Sequence, residues 1–332
     1  MASTLTISMT RRPVLGALAS LFALGLVSPG RTPGQTSSAT ESQEHHTGAT
    51  YSFVHAWGKR GSGDGEFGLP GQVAVDGRGD VLVADPHNRR IQKFTSEGDL
   101  ILGWGAADAG NSGPFAPSGI AATERSVYAT CSLSNRVLAF SGEGDVVLAW
   151  GDGGNGDGEF SAPQALAVGD DGRVYVCDLR NTRVQVFDGD GQYLGQWGSP
   201  GHGDGQFSGP VGIAIGPDSQ VIVADAISHR IQVFNADGTF LTAWGSPGTG
   251  DGQFDLPVAV AVDASGQTFV SDFGNHRVQV FAPDGAYRGQ WGAAGIEPGQ
   301  FAGPQGIAVD AVGHVYVADM GNRRVQVFAP PP

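Results

Sequence analysis

The chain has 332 residues and a formal net charge of −14. Its first 39 residues hold Arg11, Arg12 and Arg31 and no acid, so removing them takes the remainder from −14 to −17. A phosphate-binding surface needs clustered Lys and Arg, and this balance excludes nucleic acid from the expected partners.

In chain order, the first element is a leader. MASTLTISMTRRPVLGALASLFALGLV sets Arg11-Arg12 before an uncharged apolar run from Val14 to Val27. The run suits the core of an export signal and falls short of the roughly 20 residues of a spanning helix. TRRPVL is similar to the twin-arginine signal. No clean A-x-A site follows, which leaves an uncleaved N-terminal signal as the only expected route to a membrane. Residues 1–27 therefore read as an export signal. Residues 28–50, SPGRTPGQTSSATESQEHHTGAT, read as a disordered linker with too little apolar mass to fold. The expected location is periplasmic, cell-surface or secreted.

From Tyr51 onward the chain repeats. Trp57, Trp104, Trp150, Trp197, Trp244 and Trp291, each followed by Gly, recur 46 or 47 residues apart. Two phenylalanine series keep step: Phe67, Phe115, Phe160, Phe207, Phe254, Phe301, and Phe94, Phe140, Phe187, Phe234, Phe281, Phe328. Such a period signals a repeat architecture. The fifth unit, GQFDLPVAVAVDASGQTFVSDFGNHRVQVFAPDGAYRGQWG, holds four short apolar runs: VAVAVD, TFVSD, RVQVF and YRGQWG. Alternation is clearest in RVQVF, and the runs read as strands. The DASG, DFGNH and APDG steps between them supply the positive φ that tight turns need.

Four antiparallel strands repeated six times predict an all-β propeller; a solenoid would need terminal caps. The sixth unit stops at Val327-Phe328-Ala329, before a fourth strand, and the region opens with an orphan strand, YSFVHAWG, at 51–58. Residues 51–332 are thus expected to form a closed six-bladed β-propeller of four-stranded antiparallel blades, its last blade completed by the N-terminal strand. The phrase WGSPGHGDGQF (197–207) recurs as WGSPGTGDGQF (244–254). It reads as the crossing from one outer strand to the next inner strand, with glycines for sharp turns and close backbone approach.

GPQGIAVDAVGHVYVADMGNRRVQVF (303–328) resembles an NHL repeat, and the resemblance extends over residues 51–329. Blade 2 departs from it, lacking the GDG step and carrying Cys131 where the other blades end in VAD, SD or CD. The related peptide-amidating lyases hold zinc through histidines that follow the inner-strand proline. Here those positions are Gly71, Ser118, Gln164, Val211, Val258 and Gln305, so that site does not carry over.

The second-to-third loops, PHNRR (86–90), LRNTR (179–183), AISHR (226–230), FGNHR (273–277) and MGNRR (320–324), should share one end with the crossings. Acidic turns such as GEGD (142–145), GDDGR (169–173) and DGDG (188–191) should lie at the other. Each loop closes on an arginine (Arg90, Arg136, Arg183, Arg230, Arg277, Arg324), expected to pair with the Asp ending the preceding strand. Positions that vary between blades are the ligand-face candidates: His87, Arg89, Arg180, His229, His276 and Arg323. The equivalence of His229 and His276 invites zinc, but zinc takes three or four converging ligands. One Asp per GDG crossing (Asp64, Asp157, Asp204, Asp251) is too few for calcium. No metal and no cofactor are expected.

Cys131 and Cys177 lie on equivalent strands of neighbouring blades, and alternation of side chains lets them face across the interface. An oxidising compartment would favour a disulfide. Two buried thiols is the alternative, because a bond needs Cα atoms within roughly 7 Å; both stay open. The functional expectation is an exported, monomeric, non-catalytic scaffold presenting its loop tips to a protein, peptide, glycan or cell-surface partner. The alternative is a lyase or hydrolase at the mouth of the central channel. In its favour, Thr123 and Cys131 break the Asp pattern in blade 2, although no G-x-S-x-G elbow or P-loop is present.

Overall fold

The turn chemistry divides each repeat into four strands, as blade 5 illustrates: Pro257–Val262, Thr268–Asp272, Arg277–Phe281 and Tyr287–Trp291. Between its first two strands, Asp263 Oδ1 accepts the amides of Ser265 and Gln267, both at 2.9 Å, while Gly266 takes a φ of +83°. The computed structural model describes residues 51–105 and 115–332. The export-signal and linker readings of residues 1–50 lie outside the described residues.

Six four-stranded antiparallel sheets follow one another, each ordered inner, second, third and outer strand. Second strands such as VYVCD (Val174–Asp178) are buried along their whole length, which explains their unbroken apolar run. Outer strands such as YLGQW (Tyr193–Trp197) alternate half-buried and exposed positions. RVQVF (Arg183–Phe187) is a departure from the expected alternation. It is buried throughout, Gln185 included.

The core is a ring of six apolar layers, one between each pair of adjacent blades. Val174 and Val176 of blade 3 pack on Val137 and Phe160 in the layer shared with blade 2. Tyr175 and Cys177 point the other way, into the layer with Ile213 and Val223 of blade 4. The inner strands surround a cavity of about 50 Å³ in the central channel, bordered by Val73, Ile120, Leu166, Ile213, Val260 and Ile307.

Closure follows the predicted offset. Ser52–Trp57 pairs antiparallel with Arg324–Ala329, from Ser52 opposite Ala329 to Trp57 opposite Val325. A second device reinforces the seam. In five blades a turn glycine with positive φ lies flat on the outer-strand tryptophan of the preceding blade. A Cβ on Gly98 would fall 2.7 Å from the Trp57 ring, and one on Gly238 2.6 Å from the Trp197 ring. In blade 6 Tyr51 takes that position, and its ring stacks on Trp291 with centroids 4.8 Å apart.

Candidate functional site

A polar cluster, of four residues in its full form, fastens the crossing to its blade in five of the six blades. In blade 3, Asp178 is fully buried at the end of the second strand. Its Oδ1 accepts the Ser161 amide at 2.7 Å, and its Oδ2 accepts from Asn181 Nδ2 (2.8 Å), Arg183 Nε (2.8 Å) and Gln185 Nε2 (3.2 Å). The donors also reach the crossing itself. Asn181 donates to the Gly154 carbonyl, Arg183 to those of Gly156 and Glu159, and Gln185 to that of Glu159, while its Oε1 accepts the Gly158 amide. Buried polar groups are tolerable when every partner is supplied, and this latch supplies them. The GDG phrase is therefore structural, and its glycines keep backbone amides and carbonyls within reach.

Arginine and strand-ending aspartate pair in five blades: Arg90–Asp85 at 3.9 Å, Arg183–Asp178 at 2.8 Å, Arg230–Asp225 at 3.7 Å, Arg277–Asp272 at 2.8 Å and Arg324–Asp319 at 2.9 Å. Blade 2 is the exception. Cys131, Ser134 and Leu138 replace Asp, Asn and Gln, and Arg136 instead donates to Asp152 of the following crossing at 3.2 Å. Blade 4 carries a repair. Ser228 stands in for the latch asparagine, and His202 Nδ1 lies 3.2 Å from its hydroxyl and 3.1 Å from that of Ser208, which donates to the Gly201 carbonyl. The single letter by which the two recurring phrases differ, His202 against Thr249, compensates for that loss.

Of the predicted candidates, Arg89, His229, His276 and Arg323 share one left-handed loop position with Asn135 and Thr182, at φ between 51° and 56°. In three blades the side chain there ties down the next crossing. Asn135 Oδ1 accepts the Ala162 amide (2.9 Å), His276 Nδ1 that of Gly303 (3.0 Å), and His229 Nδ1, when protonated, donates to the Phe254 carbonyl (3.1 Å). The two histidines thus serve their neighbouring blades and do not converge. Arg323 donates to the Gly321 carbonyl at 2.7 Å; burial and the adjacent Arg60 charge hold its guanidinium below the ordinary arginine range. Among the described residues no group of three or more His, Cys, Asp and Glu side chains gathers as metal ligands do.

His87 and Arg180 are exposed at the true tips, two residues past the end of the second strand. Leu133 and Ile227 occupy the same position in blades 2 and 4, 65 % and 37 % exposed, and Gly274 and Gly321 in blades 5 and 6. Sequence reasoning missed the two aliphatic tips because it looked only for polar variation; their exposure on a loop bearing no periodic apolar pattern was the available signal.

The disulfide is not formed. Cys131 and Cys177 are free thiols, and alternation works against the bond: one position of offset sends Cys131 into the layer with blade 1 and Cys177 into the layer with blade 4. Burial pushes the Cys131 thiol up to about 12, so it offers no thiolate at neutral pH. Thr123 accepts the amides of Ser126 (3.1 Å) and Arg125 (3.3 Å), as the turn aspartates do elsewhere. Both residues that broke the Asp pattern thus serve the scaffold.

A family model for the NHL repeat matches residues 160–187, 207–234, 254–281 and 301–328, each stretch running from a crossing phenylalanine to a third-strand phenylalanine. The chain is an NHL-repeat propeller. Over 48 residues this NHL propeller is 48 % identical to protein lin-41 of Caenorhabditis elegans, covering 14 % of the chain and only 4 % of that much longer relative. Its fold is similar to that of virginiamycin B lyase from Staphylococcus aureus (TM-score 0.56, 18 % identity, 77 % of this chain and 79 % of that one). It is likewise similar to a protein of unknown function from Bacteroides thetaiotaomicron (0.66, 17 %, 84 % and 75 %) and to a gluconolactonase from Xanthomonas campestris (0.59, 15 %, 86 % and 99 %). At such identities the likeness is one of fold, which hosts many chemistries.

Proposed function

We propose that this NHL propeller is an exported binding scaffold whose loop tips engage an extended segment of a partner protein. One observation carries the reading. The position two residues beyond the second strand differs from blade to blade, His87, Leu133, Arg180 and Ile227 being exposed in succession, above a latch that is nearly the same in five blades. Aliphatic side chains held in water beside a cation and an imidazole form a mixed surface of the kind that marks interaction sites. A rigid frame with variable tips lets recognition change without disturbing the fold.

The test is affinity capture from the exported fraction of the source cells by the whole protein and two variants. Leu133→Ser combined with Ile227→Ser should lose a partner that the wild type retains. Val312→Ser, which alters an aliphatic residue 70 % exposed at the opposite end, should keep it. Equal retention by all three would move the binding surface elsewhere.

A second reading, a lyase or hydrolase at the channel mouth, draws on a polar pair at that end, where Ser118 Oγ donates to Ser132 Oγ at 2.7 Å. Turnover of ester or lactone substrates that vanished in Ser118→Ala would favour it over the scaffold.

A further inference from the structure

The end opposite the loop tips is not uniformly acidic. At the third position of the inner turns, blades 3 and 4 place Asp171 and Asp218, whereas blades 1 and 2 place Arg78 and Arg125. Near these arginines Lys93 is buried in the third strand of blade 1, where the other blades have Ala139, Val186, Val233, Val280 and Val327. Its Nζ donates to Asp76 Oδ2 at 2.8 Å and to Asp80 Oδ2 at 2.9 Å. Burial pulls the ammonium down, but the two carboxylates outweigh it and hold Lys93 above the ordinary lysine range. An ammonium has three donors; the third has no partner among the described residues.

Five blades of the same molecule keep this sheet with an aliphatic residue in place of Lys93, so the fold does not require a cation there. A buried ion cluster is weak support for stability, so stability of the sheet does not account for Lys93. Beside it, between blades 1 and 2, opens a cavity of about 180 Å³ whose charged lining is Asp76, Arg78, Lys93, Glu124, Arg125 and Glu143. Arg78, Glu124, Arg125 and Glu143 are exposed, and none forms an ion pair among the described residues.

We propose that this cavity binds a small zwitterion of the α-amino acid class. The carboxylate would lie against Arg78 and Arg125 and the ammonium against Glu124 and Glu143, with the Lys93–Asp76–Asp80 cluster as a fixed polar floor. Uncommitted charges of both signs select such a ligand, because a plain anion or cation would leave one pair uncompensated. The cavity is well below the roughly 300–1,000 Å³ of sites for drug-sized ligands, which suits a molecule of few heavy atoms. It is separate from the loop-tip surface and stands or falls independently of it.

The experiment is calorimetric titration of the whole protein with glycine and L-alanine, with acetate and methylammonium as single-charge probes at matched ionic strength. Saturable amino-acid binding is expected, with both single-charge probes weaker by about tenfold or more. Arg125→Gln and Glu143→Gln should each weaken binding by about tenfold, while Asp171→Asn should leave it unchanged. Lys93→Met should also weaken it; should that variant misfold, the two surface variants still decide. The proposal is overturned if neither amino acid binds saturably, if acetate or methylammonium binds as well, or if Arg125→Gln and Glu143→Gln bind like wild type.

Discussion

Asp178 shows how much one buried carboxylate can organise. It has no exposed surface and takes hydrogen bonds from one backbone amide and three side chains. Asp178→Ala would strand the buried Arg183 guanidinium without its counter-charge, and breaking a buried pair costs about 3–5 kcal/mol. Cys131→Ala, at the equivalent position of blade 2, removes only a small apolar group and should cost about 1 kcal/mol. Urea denaturation of the two variants measures the difference. Similar losses would mean that the latch contributes little to stability. The pairing of loop arginine with strand-ending aspartate was legible because it is written five times. The aspartate's other partners were not. Gln185 sits where a half-buried strand would show a polar residue to solvent, and only the crossing folded over it reveals that this polar side is interior.

At the scale of the element, the crossings and turns decide the geometry. Gly238 adopts a φ of +88° and lies on Trp197, where a Cβ would come within 2.6 Å of the ring. Gly238→Ala therefore meets both the left-handed backbone penalty and a collision with a rigid aromatic. A loss of at least about 2 kcal/mol in a thermal or urea unfolding curve is expected. A neutral result would show that the outer strand of blade 3 moves freely against blade 4. The strands and turns were readable from the Trp and Phe landmarks and the Asp-Gly steps, since each was sampled in nearly every unit. The direction of an individual side chain was harder to read. Aligning Cys131 with Asp178 gave the correct offset from Cys177, yet the offset itself puts the two thiols in different layers. Lys93 was visible in RIQKF against RIQVF and RVQVF, but a single charged letter in a strand reads as solvent-facing until the second strand and the inner turn are seen to cover it.

For the whole molecule, the ring is completed by a non-covalent seam, and Tyr51 is its outermost fastening. The ring stacks on Trp291, meets Phe269 edge-on at 5.3 Å and has its hydroxyl within 3.2 Å of Gln267. Tyr51→Ala should cost about 2–3 kcal/mol and raise hydrogen exchange first along Ser52–Trp57. Uniform exchange around the ring would contradict a seam that opens before the rest. The six-fold plan was legible from the offset between the orphan strand and the truncated sixth unit. The substitution of a stacked tyrosine for a turn glycine was not, because nothing before Tyr51 carries the period.

The seam also sets how the molecule bears load. Ser52 lies opposite Ala329, at one end of an antiparallel pair. Tension between residue 51 and the last strand therefore pulls the two strands apart sideways, breaking their hydrogen bonds one after another instead of shearing them together. A protein held at one end of its chain and tugged at the other would yield there first, at low force, while the five remaining sheets stayed whole.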